Sequence, residues 1–514
     1  MSLSAHSPAA ASAPVPAAIW GGFGTMCLGM FMAILDVQVV ATSIPTIQQA
    51  LDVSPDKMSW VQTAYLIAEV TAIPLTGLLT RALTMRWLFV GAVSVFTLAS
   101  IGCAASSGFA TLIAWRVLQG FAGGTLIPAV FSAVFVLFPP RQQGLATTVA
   151  GVLAVLAPTV GPIVGGWITQ TWSWHWLFLI NVVPGLVAAL FATRLLPAEP
   201  SRLSLFRRLD VLSLASMALA LALRVLALKE APQSGWLSPL VLGMLAASVL
   251  AFAGFALRTW RSETPLVQLR SFRDRNFSVG CLLSFVLGIG LFGQVYMMPV
   301  FLAVAHGYGA LAIGKIMLVT GIAQLLTAPI AVELEKRVDP RLLSGAGFLL
   351  FALGLGLSAF QTATTDDTEM FWPQVIRGVA IMFCLLPPTR MALGAVAPAG
   401  VPDASGVFNL MRNLGGAIGL ALIDTVIYGR APLLGAEIAA KAQAGDAATL
   451  AALAIPAGTL ALPANGVLDP QSMALATPFV ETLSYVRAMN EAWALVAIIT
   501  GAAVLSLVLA RRRD

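Results

Sequence analysis

The side chains with the most evident chemistry are charged groups inside long apolar stretches. The carboxylates of Asp36 and Glu69 stand in the first two stretches, and the guanidinium of Arg116 stands in the fourth. A charge in hydrocarbon costs at least about 2.5–3.5 kcal/mol, so each of them needs a reason. A buried carboxyl group can take up a proton in one state and release it in another as a cation approaches or withdraws. Asp36 and Glu69 are therefore candidate proton carriers, with Arg116 as their electrostatic partner.

A structural role is the alternative for each of these charges. Arg116 would then form a static ion pair with Asp36, and Glu69 would only shape a cavity. Asp424 and Arg412 share one later stretch, but about 18 Å of helical rise separates them, so they cannot pair with each other. We expect Arg412 to reach the membrane interface or a carbonyl group. Asp424 is expected at the outer rim or as a group that selects cations.

Polar, aromatic and thioether side chains in the ninth apolar stretch are candidates for a binding surface. Gln294, Tyr296 and Met297 lie close together there. With Glu69 and Asp424 they form the predicted lining of a substrate cavity. Such a lining suits an amphipathic organic molecule, because it offers few fixed charges. Core packing is the other explanation for each of the three.

Glycine and proline in the fourth and fifth stretches are a further signal. The predicted conformational residues are Gln119, Gly120, Gly161, Pro162, Gly165 and Gly166. In the fifth stretch these residues interrupt regular hydrogen bonding, which suits a kink about which two halves move. Small residues also let helices approach closely, so tight packing is an equal explanation.

The elements that must position these residues are membrane-spanning helices. Of the 514 residues, 58% are hydrophobic and only 10% are charged, against about 25% charged residues in a soluble domain. Runs near 20 apolar residues recur, and each is long enough to cross about 30 Å of hydrocarbon. A backbone in lipid must satisfy its own hydrogen bonds, so these runs are helices. The chain is therefore an all-α integral membrane protein, and a soluble enzyme, a secreted protein and a disordered scaffold are excluded.

The sequence predicts 14 transmembrane helices that divide as six, two and six. They lie near residues 19–45, 59–80, 87–105, 110–138, 144–170, 174–196, 209–229, 238–258, 276–304, 311–333, 341–361, 371–396, 403–430 and 489–510. The predicted parts are a cytoplasmic tail (1–18), an N-terminal half (19–196), two inserted helices with basic connectors (197–275), a C-terminal half (276–510) with an outer loop at 431–488, and a basic cytoplasmic end (511–514).

Lysine and arginine are spread unevenly over the connectors. If both termini are cytoplasmic, 19 of the 29 Lys and Arg residues lie in inner connectors, five lie outside and five lie within helices. Positive residues collect on the cytoplasmic side of membrane proteins, so this split predicts that orientation. It also explains the net charge of +6 without a nucleic acid partner.

Two of the helices repeat a short pattern. Arg116-Val-Leu-Gln119-Gly120 in the fourth helix corresponds to Gln374-Val-Ile-Arg377-Gly378 in the twelfth. Such echoes suggest two related halves around a central path, as in many transporters. No P-loop, metal motif or nucleophile motif occurs, so we predict no enzyme activity and no cofactor. Transport would then be driven by an ion gradient or run downhill.

These motifs resemble those of the major facilitator superfamily, and more closely those of its 14-helix drug:proton antiporters of the EmrB/QacA type, on the EmrB branch. The segment 35–45 resembles the family's helix-1 motif, 116–120 its helix-4 motif and 157–166 its helix-5 antiporter motif. Two positions depart from the family pattern, because Arg81 and Thr84 stand where the loop after helix 2 has an Asp and a Gly.

The resemblance implies a facilitator fold and proton-coupled efflux of amphipathic drugs or toxic compounds by alternating access. It implies a location in the bacterial inner membrane and the proton gradient in place of a cofactor. Partners would be the lipid bilayer, the exported molecule and a periplasmic adaptor with an outer-membrane channel, with 431–488 as the docking surface. The alternatives are a dedicated exporter of one metabolite or antibiotic and, from another class, a non-transporting membrane scaffold or sensor.

Overall fold

The computed structural model describes residues 15–208, 210–262, 269–394, 396, 401–455 and 470–511. All regular secondary structure in these ranges is helical. Several predicted features lie outside the described residues, namely most of the N-terminal tail (1–14), part of the second basic connector (263–268), the middle of the 431–488 segment (456–469) and the last three residues (512–514).

Seventeen α-helices follow one another along the described chain. They are α1 (Ala17–Ala41), α2 (Ile44–Ala50), α3 (Trp60–Ala72), α4 (Thr76–Ala104), α5 (Phe109–Leu137), α6 (Pro140–Thr171), α7 (Trp176–Leu179), α8 (Val182–Leu195), α9 (Val211–Ser234), α10 (Pro239–Arg261), α11 (Arg275–His306), α12 (Ala310–Glu335), α13 (Pro340–Leu357), α14 (Asp367–Leu393), α15 (Val401–Gln443), α16 (Ala447–Ala452) and α17 (Pro470–Ala502).

The predicted number of transmembrane helices is confirmed once a break within the second segment is considered. Among the described residues, 13 helical segments are long and apolar enough to span a membrane, and one of them, 55–104, has 50 residues. Thr84 interrupts that segment with φ 76° and ψ 160°. The break lies between the predicted second and third helices, so the segment contains two spans.

The helices pack as an N-terminal half (α1–α8), an inserted pair (α9 and α10) and a C-terminal half (α11–α17). The inserted helices pack mainly on each other, and α9 also lies against α3 and α15, where the two halves meet. We call the end of the bundle with the Thr84 turn the basic end, because its connectors contain Arg81, Arg86, Arg141 and Arg202. The other end, where α1 ends and α5 begins, is called the opposite end.

The described parts of the outer segment 431–488, in which the sequence predicts an amphipathic helix near 435–455, are largely helical. Helix α15 continues without a break to Gln443, and α17 begins at Pro470. The two extensions pack through an apolar cluster that includes Ile438, Ala442 and Val480. Alanine has the highest helix propensity, which explains why an Ala-rich segment prolongs its neighbouring helices. The result is a helical projection from the opposite end.

Candidate functional site

Asp36 and Arg116 form a buried ion pair inside the N-terminal half. Nη1 of Arg116 lies 2.5 Å from Oδ2 of Asp36, and both side chains are 0% exposed. Asp36 comes near the end of α1 and Arg116 comes two turns after the start of α5, so the pair is nearer to the opposite end of the bundle. The structure thus brings together the two residues that the sequence analysis paired.

Two amides complete the coordination of the Asp36 carboxylate. Gln119 Nε2 and Asn181 Nδ2 donate to Oδ1 over 2.9 and 2.8 Å. Gln119 also accepts a hydrogen bond of 2.7 Å from Arg116 Nη1, so its amide joins the two charges. Sequence reasoning gave Asn181 no role. The signal in the sequence that could have identified Asn181 is an amide side chain within an apolar helical region.

The Arg116 guanidinium is held by α3 as well as by Asp36. Its Nε donates to the carbonyl oxygen of Val61 over 3.0 Å, and its Cζ lies 4.4 Å from the ring centre of Tyr65. A cation above an aromatic face is stabilised by the ring quadrupole. Nη2 of Arg116 is buried without a protein partner among the described residues. The arginine therefore retains a free donor within the network.

Glycines on α5 create this arrangement. A Cβ on Gly120 would collide with the backbone oxygen of Tyr65, and one on Gly124 would collide with that of Glu69. Two glycines four residues apart lie on one helix face and let backbones approach closely. Helix α5 therefore lies directly on α3, which places Tyr65 over the guanidinium. The predicted role of Gly120 as a packing residue agrees with this geometry.

The network depends on the charge of Asp36. In the structure this carboxylate accepts three hydrogen bonds, one of them from a cation. A proton on Asp36 would neutralise the charge that holds Arg116 and would leave the buried guanidinium uncompensated. Because such an unpaired charge is costly in a medium of low dielectric constant, protonation favours a rearrangement of α1, α3 and α5.

Glu69 lies at the seam between the halves. Its side chain is 4% exposed and faces Arg412 and Asn413 of α15. The expected position of the Arg412 head group at the membrane interface or at a carbonyl stays a prediction. Glu69 is thus a second buried carboxylate, on a surface where the two halves meet.

Asp424 is not a rim residue, contrary to our expectation. It is 2% exposed and pairs with Lys229 of the inserted helix α9, with 2.6 Å between Nζ and Oδ2. Ser59 hydrogen-bonds both charges. The ammonium also lies 4.8 Å from the ring centre of Trp60. This outer cluster, defined as Ser59, Trp60, Lys229 and Asp424, joins α3, α9 and α15.

Of the predicted cavity residues on α11, Tyr296 comes next to this cluster. Its hydroxyl lies close to Asp424 and Tyr428. Gln294 and Met297 are buried in the same helix, and Oε1 of Gln294 has no protein partner among the described residues. Glu69 faces Asn413, which is about three turns of α15 away from Asp424. The predicted lining is therefore divided into two polar groups along the seam.

The glycine-proline motif of α6 provides close packing. Helix α6 continues from Pro140 to Thr171 with both internal prolines inside it. Cβ atoms on Gly161 and Gly165 would collide with Gln38 and Val39 of α1, and one on Gly166 would collide with the backbone of Ala310 in α12. The missing side chains thus let α6 contact both halves, and the kink stays a prediction.

The contact between α6 and α12 continues about one helical turn further from the opposite end. The carbonyl of Pro162 lies against Gly314, and Oγ1 of Thr159 donates to the carbonyl of Gly321 over 3.2 Å. This is a contact between helices of different halves near the opposite end. Among the described residues there is no group of three His, Cys, Asp or Glu side chains that could hold a metal ion.

The comparisons with known proteins agree on one family. The sequence model described as Major Facilitator Superfamily matches residues 26–420. A colistin resistance protein, EmrB of Acinetobacter baumannii, is 37% identical over 409 residues, which are 79% of this chain and 80% of that protein. The multidrug export protein EmrB of Escherichia coli K12 is 30% identical over 419 residues, or 80% and 81% of the two chains.

Two further similarities extend this comparison. The fatty acid resistance protein FarB of Neisseria gonorrhoeae is 28% identical over 407 residues, which are 78% of this chain and 80% of that protein. Among solved structures, an inward-facing, occupied bacterial homologue of the human lysosomal transporter Spinster aligns with a TM-score of 0.60 at 14% identity. The alignment covers 95% of this chain and 96% of that one, so the fold is shared.

Proposed function

Because the chain belongs to the major facilitator superfamily, we propose that it is a multidrug:proton antiporter that exports amphipathic compounds by alternating access. The observation that carries the proposal is the Asp36–Arg116 pair with its two amide ligands, buried inside the N-terminal half. This network has the composition that proton coupling requires, namely one titratable carboxylate and one fixed cation that competes with the proton.

The proton arrives at Asp36 from the opposite end, which is the nearer end. Protonation removes the partner of Arg116, whose guanidinium keeps contact with Tyr65 and with the carbonyl of Val61. Movement of the arginine is transmitted to α3, since both contacts belong to that helix. Helix α3 also holds Glu69 at the seam and Ser59 in the outer cluster, so it links the proton site to both groups between the halves.

The structure corresponds to a state that is closed at the opposite end. There, α6 packs on α12 through Gly166 and Pro162. The outer cluster joins α3 to α15 at the same end. Substrate binding from the basic end and proton release from Asp36 would belong to this state. The outward movement of substrate requires that both contacts separate.

The substrate class follows from the lining and from the relatives. Gln294, Tyr296 and Met297 are buried in this state and would offer an uncharged, polarizable lining once the halves separate. The similar proteins are named for resistance to colistin, to multiple drugs and to fatty acids, all of which point to amphipathic molecules. We therefore propose broad amphipathic substrates. A resistance profile limited to one compound would favour a dedicated exporter instead.

The chain is a multi-pass membrane protein, and we propose that the basic end faces the cytoplasm of a bacterial inner membrane. The helical projection formed by α15 and α17 then lies on the periplasmic side. We propose it as the docking surface for a periplasmic adaptor that leads to an outer-membrane channel. Crosslinking from the projection in the native host tests this partnership, and capture of no adaptor would contradict it.

Everted vesicles test the transport function. Vesicles with an acid interior receive a panel of amphipathic cations, anions and neutral drugs while the proton gradient is recorded. We expect several compounds to collapse the gradient with the wild type and none to do so with Asp36→Asn. Asp210→Asn is the matched control, because it removes a carboxylate in a partly exposed pair with Arg258.

The outcomes separate the candidate functions. If Asp36→Asn behaves as the wild type does, the proton carrier is another residue, and Glu69→Gln is the next variant. If no compound moves protons with either protein while counterflow of labelled drug is also absent, the chain is a scaffold or sensor and the proposal is wrong.

A further inference from the structure

The C-terminal half contains a group of buried hydrogen-bond donors without acceptors. Arg377 of α14 is 1% exposed, and its Nε and Nη1 have no protein partner among the described residues. The same holds for Nε2 of Gln374, which is 2% exposed, and for Nε1 of Trp493, which is 0% exposed. We call these three residues the donor cluster. An arginine cannot release its proton in a protein, so its charge needs another form of compensation.

The three residues are neighbours. Gln374 and Arg377 are three positions apart and share one face of α14. The Arg377 Cζ lies 4.9 Å from the ring centre of Trp493 on α17. Thr320 donates to Oε1 of Gln374 over 3.2 Å, so the amide oxygen is engaged and the amide nitrogen is the free atom. No carboxylate lies within ion-pair distance of Arg377 in the part of the chain that the structure describes.

The donor cluster occupies the position in the C-terminal half that corresponds to the Asp36–Arg116 network in the N-terminal half. Gly120, which follows Gln119, packs on the backbone oxygen of Tyr65 in α3. Gly378, which follows Arg377, packs in the same way on the backbone oxygen of Thr320 in α12. Each half thus places an arginine–glutamine pair at one helix contact.

The two sites differ in the carboxylate. Gly29 of α1 and Gly290 of α11 each pack against a phenylalanine ring on the third helix of their own half. Asp36 is seven residues after Gly29, and Met297 is seven residues after Gly290. The repeat therefore places a thioether where the N-terminal half has its anion. Arg377 retains the donors and lacks the internal acceptor.

A cavity lies near the donor cluster, on the side of the opposite end. It has a volume of about 90 Å³ and lies between the end of α13 and the start of α14, with Ser358, Gln361 and Pro373 in its wall. It has room for several water molecules or a small ion. Pro373 and the stem of Arg377 both pack against Gly354, so about one turn of α14 separates the cavity wall from the arginine. Glu369 is also in the wall, so selection of an anion rests on the buried donors and not on a basic entrance.

We propose that the donor cluster binds a small monovalent anion, of which halide ions are the representatives, and that this anion supplies the counter-charge that Asp36 supplies in the other half. Arg377, Gln374 and Trp493 point to an anion because all their free atoms are donors. A cation is excluded by the guanidinium. The proposal does not depend on the transport function, since it concerns the packing of the C-terminal half.

Thermal unfolding of the purified full-length protein tests the proposal. All four cysteines are buried, so a thiol-reactive dye reports unfolding. The melting temperature is measured in sodium chloride, sodium bromide and sodium gluconate at equal ionic strength. We expect chloride and bromide to raise it by a few degrees, in a saturable manner, because a ligand that binds only the folded state stabilises it.

Three variants locate the effect. Arg377→Gln should abolish the halide effect, and Trp493→Phe should raise the half-saturating bromide concentration by roughly two- to tenfold, the equivalent of one hydrogen bond. Arg258→Gln is the matched control, since that arginine is 49% exposed, and it should keep the full shift. If Arg377→Gln fails to fold, the Trp493 variant still decides between the outcomes.

Several results would overturn the proposal. Equal melting temperatures in halide and gluconate mean that only ionic strength acts. A halide shift that persists in Arg377→Gln places the anion elsewhere. Decanoate is the remaining arm of the test. If decanoate shifts the melting temperature and the halides do not, the donor cluster belongs to an exported carboxylate and not to a small ion.

Discussion

At the scale of residues, three groups in this protein bring a buried carboxylate near a cation, whereas Arg377 has no carboxylate partner among the described residues. Asp36 is paired with Arg116, Glu69 faces Arg412, and Asp424 is paired with Lys229. Of the three groups, the first lies wholly within one half. The other two connect helices of different parts of the chain, so their formation depends on how the halves meet. The proposed proton coupling at the first group and the proposed gating at the other two are therefore separable in experiments.

We predict that Lys229→Met destabilises the protein by about 3–5 kcal/mol, because it leaves the buried carboxylate of Asp424 without its cation. The double variant Lys229→Met with Asp424→Leu should recover most of this loss, since it removes both charges. Thermal unfolding with the thiol dye measures the four proteins of the cycle. Additive effects of the two substitutions would show that the pair has no energetic coupling.

The sequence predicted the first charge group but not the outer cluster. Asp36 and Arg116 are in spans whose contact is implied by the family's motifs. Lys229 lies near the end of an inserted helix, where a snorkelling side chain reaches water at little cost. Its burial follows from the position of α9 between α3 and α15, which is a tertiary fact. No residue spacing along the chain predicts the burial of Lys229.

At the scale of elements, α6 is a helix of the N-terminal half that packs against the C-terminal half. We predict that Gly166→Ala sharply lowers transport, since its Cβ would collide with the backbone of Ala310 and separate α6 from α12. Gly151→Ala on the same helix meets open space and should leave transport unchanged. Drug efflux from energised cells measures both variants. Equal activity of the two would mean that close contact at Gly166 is not needed.

A second element, the turn between the second and third spans, contains local strain. Thr84 adopts φ 76° and ψ 160°, a region that is favourable only for glycine, and its buried hydroxyl has no protein partner in the described part of the chain. We predict that Thr84→Gly stabilises the protein by about 1–3 kcal/mol. Thr80→Gly, in regular helix four residues earlier, should instead cost about 1 kcal/mol. Melting temperatures that change in the same direction for both would contradict this account.

The sequence predicts the spans well and their continuations poorly. Hydrophobic runs long enough to cross a bilayer mark every span, and the missing family glycine marked Thr84 as a departure. The extensions of α15 and α17 have a weaker marker, the amphipathic pattern near 435–455, because helix outside the membrane needs only propensity and a partner surface. That surface is the cluster around Ile438 and Val480, which forms only when both helices are in place.

At the scale of the whole molecule, the basic connectors at one end of the bundle predict how the bundle is oriented in the membrane. We predict that a cysteine placed by Lys441→Cys reacts with a membrane-impermeant maleimide in spheroplasts, and that one placed by Arg202→Cys reacts only in everted vesicles. The native cysteines are all buried, so the background is low. Labelling of Arg202→Cys in sealed spheroplasts would reverse the proposed orientation.

The proposed coupling of protons to substrate movement by Asp36 can be measured in proteoliposomes. Two measurements are made on the same preparation: accumulation of drug driven by a pH gradient, and exchange of labelled for unlabelled drug without a gradient. We expect Asp36→Asn to lose gradient-driven accumulation but to keep exchange, because the variant keeps a neutral side chain in the network. Accumulation at the wild-type level by Asp36→Asn would show that Asp36 is not the coupling residue.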